Sequence, residues 1–209
     1  MYIIYMFRKM IEENEVKVIL VGEMGTGKTS LINTFIGLKF EEKVEESTSS
    51  ASFVTHRMKI GDKTYAINLW DTIGQEKFRS LTKIFIKDSK IVILVYDITR
   101  IDTFNELNYW FDTIKNVLGN KPVLGICGNK NDLFQKEEVP EEKIEKYASE
   151  KNVPYKLTSC KSPLTFKNFM EELLKQYIEK TEGKIETSNG KKLDNKKFNN
   201  NKSKERKWC

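Results

Sequence analysis

The sequence predicts an α/β domain of three layers, built on a six-stranded, mostly parallel sheet with one antiparallel strand and about five helices. Three observations lead there. Apolar, β-branched runs such as Val16-Lys17-Val18-Ile19-Leu20-Val21 and Ile91-Val92-Ile93-Leu94-Val95-Tyr96 read as strands, the second covered on both faces. From the second of these onward, strands alternate with helical patterns, as expected when parallel strands are joined by crossover helices. Two runs break the alternation: 53–60 and 65–70 are joined by Gly61-Asp62-Lys63-Thr64, a hairpin signal that makes them antiparallel neighbours.

In chain order, residues 1–15 are expected to be an N-terminal extension, 16–180 the folded domain, and 181–209 a basic, flexible tail. After the first strand, Ser30-Leu31-Ile32-Asn33-Thr34-Phe35-Ile36 reads as a helix, with Gly37 as its left-handed terminator. Residues 40–52 are polar and acidic and read as an exposed loop. Thr103-Phe104-Asn105-Glu106 has the spacing of a capping box. The helix it opens carries Leu107, Trp110, Phe111, Ile114, Val117 and Leu118 as its buried stripe. Residues 123–127 form a further strand, 141–151 a polar helix and 155–157 a short strand. A last amphipathic helix over 164–180 buries Phe166, Phe169, Met170, Leu173, Leu174, Tyr177 and Ile178.

Composition narrows the classes. A chain of 209 residues is one ordinary domain with room for a single sizeable core. No apolar run approaches the ~20 residues that span a bilayer. Met1 to Phe7 are apolar, but no basic segment precedes them and no small-residue cleavage site follows, so they make a poor signal peptide. Tyr2 stands where N-myristoylation needs glycine. Cys127, Cys160 and Cys209 are too few and too far apart for a disulfide framework or a zinc site. The net charge of +6 sits on the tail, since from Lys180 onward ten Lys or Arg face four Asp or Glu. A neutral body argues against nucleic acid as a partner.

The first strand runs into Gly22-Glu23-Met24-Gly25-Thr26-Gly27-Lys28-Thr29, a full G-x-x-x-x-G-K-[ST] phosphate loop, and a helix follows it. Three glycines let backbone N–H groups turn inward to phosphate oxygens, at a helix N-terminus whose dipole favours anions. Gly22, Met24, Gly25, Thr26, Gly27, Lys28, Thr29 and Ser30 are the expected nucleotide-binding residues of this loop and the helix start. Lys28 would bring a point charge to the β- and γ-phosphates, and the Thr29 hydroxyl a ligand for Mg²⁺.

The loops after the other strands carry matching chemistry. Trp70-Asp71-Thr72-Ile73-Gly74-Gln75-Glu76 places Asp71 to hold Mg²⁺ through a water, Gly74 to approach the γ-phosphate and Gln75 to orient an attacking water. Gly128-Asn129-Lys130-Asn131-Asp132 supplies a carboxylate able to accept from N1 and N2 of guanine, donors that adenine lacks. The Lys130 stem is expected over the base, with Asn129 tying this loop to the phosphate loop. Thr158-Ser159-Cys160-Lys161 is expected to meet the base O6 through its backbone.

Together these motifs resemble the Ras superfamily of small GTPases, specifically its Rab branch, over roughly residues 16–180. Leu94-Val95-Tyr96-Asp97-Ile98-Thr99 is a Rab-type run. The resemblance implies the P-loop NTPase three-layer fold, and implies Thr48 as the first-switch ligand of Mg²⁺ and Phe40 as the aromatic edge-on to guanine. It further implies Phe53, Trp70 and Phe85 as the aromatics presented to effectors, although core packing explains Trp70 equally well. The chain departs from the family at Met24, where glycine or serine is usual, and at Ile73, where alanine is usual. It ends in the single Cys209, with neither paired cysteines nor a C-a-a-X box.

The resulting expectation is a GTP-hydrolysing switch of Rab type in vesicle or membrane traffic, slow without an activating protein, using GTP/GDP and Mg²⁺. No arginine is evidently aimed at the γ-phosphate, so a partner is expected to supply one. Expected partners are an exchange factor, an activating protein, effectors and prenyl-delivery proteins. The chain is expected to be a monomer that cycles from the cytoplasm to an endomembrane, tethered by Cys209 and its basic tail. Two rivals remain at this point: a GTP-locked scaffold of the same fold, and a P-loop kinase or ATPase.

Overall fold

The computed structural model describes residues 14–41, 52–71 and 79–199; residues 1–13 of the expected N-terminal extension lie outside these. Six strands form one sheet in the order β2-β3-β1-β4-β5-β6. They are β1 Glu15–Val21, β2 Ser52–Ile60, β3 Lys63–Asp71, β4 Ile91–Asp97, β5 Val123–Asn129 and β6 Tyr155–Leu157. Among the six described strands, only β2 with β3 is antiparallel, registered from Ser52 against Asp71 to Ile60 against Lys63. Gly61 and Asp62 are the whole turn, and Gly61 takes φ +58°, where glycine is favoured. The remaining pairs are parallel, and β4 is buried along its whole length, as its unbroken apolar run predicts.

Helices cover both faces. One face is packed by α1 (Lys28–Phe35) and by α6 (Pro163–Asn199), through residues such as Leu31, Phe35, Phe166, Phe169 and Leu173. Gly125 makes room for α6 on β5, since a Cβ there would lie 2.7 Å from Leu173. The other face is packed by α4 (Leu107–Leu118) and α5 (Glu141–Lys151), with the short α3 (Ile101–Asn105) against β4. Between β3 and β4 lies α2 (Arg79–Ile86), whose Ile86 is buried in that second core. Helix α1 ends as its sequence predicts. Gly37 at φ +97° lets its own N–H reach Thr34 O and the N–H of Leu38 reach Asn33 O, which together make a Schellman close.

The capping box expected at Thr103 is corrected. Helix begins earlier, at Ile101, and Thr103 is buried inside it. Its hydroxyl donates to Arg100 O at 2.8 Å and accepts from Asp97 N at 3.0 Å, so it has no role as an N-cap. Glu106 then separates α3 from α4, so one expected helix becomes two. Helix α6 also continues past the expected end at Lys180 to Asn199. No helix among the described residues is long and apolar enough to cross a membrane.

Candidate nucleotide-binding site

The site lies at the carboxyl ends of the parallel strands, where an open α/β sheet binds its ligands. β1 leads into the phosphate loop, while β3, β4 and β5 end on Asp71, Asp97 and Asn129.

The loop's shape depends on glycine where backbone meets backbone. Gly22 has φ +150°, and a Cβ there would lie 2.1 Å from the Val95 carbonyl oxygen. At Gly27, with φ +85°, a Cβ would lie 2.4 Å from Asn129 Nδ2. Lys28 is 5% exposed, and its ammonium donates to Gly22 O at 2.9 Å and Glu23 O at 2.8 Å. The charge is therefore held inside the loop. Thr26 is buried and donates through its hydroxyl to Glu23 O at 2.9 Å. Gly25 and Ser30 are half-buried in the loop and the first turn of α1.

Across the mouth of the loop, Thr29 Oγ1 donates to Asp71 Oδ2 at 2.8 Å. A hydroxyl beside a buried carboxylate offers hard oxygen donors, and few of them. That suits Mg²⁺, which keeps waters and substrate phosphates in its shell rather than an all-protein cage. The described residues contain no group of three or more His, Cys, Asp or Glu able to hold a metal.

The base-side residues converge as expected. Asn129 is fully buried, and its amide donates to Thr26 O at 2.8 Å, linking the two loops. Lys130 adopts φ +67° at the start of the 3-10 helix Asn131–Lys136. Asp132 Oδ1 accepts from Ser159 Oγ at 2.6 Å, and Lys161 Nζ stands 3.2 Å from its Oδ2. Partial burial would raise the Asp132 pKa, but the Ser159 and Lys161 hydrogen bonds outweigh it and hold the carboxyl below its usual value. The same Lys161 ammonium stands 5.9 Å from the Phe40 ring centroid, so Phe40 joins this end of the site. Cys160 is nearly buried beside Asn129, and burial pushes its thiol up to about 11. It is a neutral wall, not a nucleophile.

The three aromatics also meet. Phe53 is 61% exposed and stacks on Trp70 at 5.2 Å, and the Phe85 ring lies 5.9 Å from Trp70. Trp70 both flanks the second core and joins this surface, so neither reading of it excludes the other.

Some residues at the site were not singled out by sequence reasoning. Trp110, expected only in the core stripe, donates from Nε1 to Glu23 Oε1 at 3.2 Å. Arg100 donates to Met24 O at 3.0 Å and pairs with Asp102 at 2.8 Å. Both grip the phosphate loop from the α3–α4 side. Lys17 lies 4.6 Å over the Trp70 ring. Thr48, Gly74, Gln75 and Cys209 lie outside the described residues.

Comparison with known proteins agrees with this geometry. The Ras family profile matches residues 17–179. Ras-related protein Rab-21 of the sponge Geodia cydonium is 39% identical over 78% of this chain and 71% of its own length. Rab-21 of Homo sapiens is 39% identical over 78% of this chain and 72% of its own, and that of Mus musculus 38% over 78% and 73%. With the phosphate loop, Asp71 and the Asn129–Asp132 loop brought together at the carboxyl ends of the strands, the chain belongs to the Ras family, as a Rab-type small GTPase.

Proposed function

We propose that this GTP-operated switch of membrane traffic is turned off slowly by its own hydrolysis and quickly with an activating protein. The observation that supports it best is the Asn129–Thr26 bond, which ties the loop proposed to recognise the base to the phosphate loop. Hydrolysis is attack of water on the γ-phosphorus, with cleavage of its bond to the β–γ bridging oxygen, giving GDP and phosphate. Lys28 stabilises charge on the phosphates, and Gln75 orients the water. Arg100 already engages Met24 O and Asp102, which supports an arginine supplied by a partner. Thr29, Thr48 and, through a water, Asp71 would hold Mg²⁺, whose chemistry there is neutralisation of phosphate charge. The loops around Thr48 and Gly74 order in the GTP state and release after hydrolysis. Exchange factors, effectors on the Phe53–Trp70–Phe85 surface and prenyl-delivery proteins complete the cycle.

The test is loading with GTP or ATP followed by single-turnover hydrolysis. Tight GTP binding, no ATP binding and a rate raised by an activating protein are expected. A GTP complex that no activating protein turns over would mean the locked scaffold instead.

Cys209 and the tail are proposed as the tether to an endomembrane. One prenyl chain anchors only marginally, and a basic segment supplies the second signal. Cys209→Ser should move a tagged protein from membrane to soluble fraction in cells; an unchanged distribution would rule out the lipid.

A further inference from the structure

Asp97 belongs to the Rab-type run, yet the switch chemistry above gives it no role. Its carboxylate is 1% exposed at the end of β4. Its backbone N–H donates to Thr103 Oγ1 at 3.0 Å. Oδ1 accepts from the Thr99 N–H at 2.9 Å and the Thr99 hydroxyl at 2.7 Å. The anchor is therefore rigid on one side. On the other side, the Lys130 ammonium lies 2.9 Å from Oδ2. It approaches off the hydrogen-bond direction, so the contact is ionic. Register explains the meeting: Asp97 is the cross-strand partner of Asn129, and Lys130 follows next.

A buried carboxylate is costly without a charge partner, and a lysine stem with four rotatable bonds has no fixed course without an anchor. We propose that Asp97 is a positioning residue of the base site. It fixes the Lys130 ammonium, so that the lysine stem lies as a ready-made wall for the guanine plane between Asn129 and Asp132. The inference rests on the guanine-binding reading above. It gives a buried acid of the family-like run a physical task in nucleotide retention.

Asp97→Asn isolates the interaction. The amide oxygen still accepts from Thr99, while the NH₂ group replaces the oxygen that faced Lys130. Dissociation of a fluorescent guanosine diphosphate from the full chain should become about tenfold faster, the scale of losing one charge contact. Added to Lys130→Met, the same change should speed release by less than about twofold, because its target is gone. Equal acceleration on both backgrounds would show that Asp97 acts through the fold and would overturn the proposal. No acceleration on the parent background would overturn it too. A parent chain that retains no guanosine diphosphate would instead overturn the guanine-binding reading beneath it. Should Asp97→Asn fail to fold, Thr99→Val loosens the same carboxylate from its other side and is read on the same two backgrounds.

Discussion

Asp132→Asn is expected to weaken GTP binding by about 10³-fold or more, the scale on which a site built to hydrogen-bond rejects a mismatched partner. In the proposed pairing the carboxylate accepts, through two oxygens, from two guanine donors. An asparagine NH₂ meets the guanine amino group donor to donor. Xanthine carries a carbonyl at that position, so xanthosine triphosphate should gain as GTP loses. The surroundings sharpen the loss. Ser159 at 2.6 Å and Lys161 at 3.2 Å also donate towards the Asp132 oxygens. The asparagine amide keeps an acceptor oxygen for one of these donors and turns its NH₂ to the other, and a buried donor left unsatisfied costs about 1–3 kcal/mol. Because those two donors hold the Asp132 carboxyl below its usual range, it stays anionic from mildly acidic pH upward, and base preference should not vary there on its account. Competition between GTP and xanthosine triphosphate reads the switch directly. An unchanged ratio in the variant would remove Asp132 from base recognition.

This assignment was legible in the sequence because its logic is local. An acid at a fixed offset after Asn129 and Lys130, behind a strand, leaves few other structures. The phosphate loop was legible for the same reason, with strand, glycines and helix each following in order. Phe53 and Trp70 were grouped in the sequence only by the family resemblance; their stack across β2 and β3 comes from the register that the Gly61–Asp62 turn sets. What escaped was long-range. Arg100 reads as an ordinary surface charge, and its contact with Met24 spans 76 positions. Lys17 looks like a stray polar residue in an apolar strand until Trp70 is placed beneath its ammonium. The capping box failed differently. Thr103 and Glu106 have the right spacing, but β4 ends close by, and the Asp97 backbone takes the Thr103 hydroxyl. Tertiary packing overrode a sound local signal.

Met24→Gly should speed single-turnover GTP hydrolysis, by about tenfold with an activating protein present, if Met24 is what delays the return to the GDP state. Attack geometry tolerates little error, and a displacement of about 1 Å can cost on the order of a hundredfold. Two features locate the effect. The Met24 carbonyl is fixed by Arg100 at 3.0 Å, so the backbone has little freedom to carry the side chain away. The side chain is 48% exposed on the phosphate loop, so an incoming arginine can meet it. GTP affinity should change much less, because the proposed phosphate contacts are backbone N–H groups and Lys28, which the thioether does not replace. Gln75→Leu supplies the contrast, since it removes the group proposed to orient water and should slow whatever rate remains. If Gln75→Leu slows hydrolysis while Met24→Gly matches the parent, the thioether lies clear of the reaction and the loop is kinetically ordinary. If neither variant differs from the parent, Gln75 is idle before any substitution, and the chain is a GTP-held scaffold whose off-state depends on nucleotide release. Acceleration by Met24→Gly together with slowing by Gln75→Leu leaves one account: a competent water-orienting residue, obstructed by a side chain where the family usually has glycine or serine.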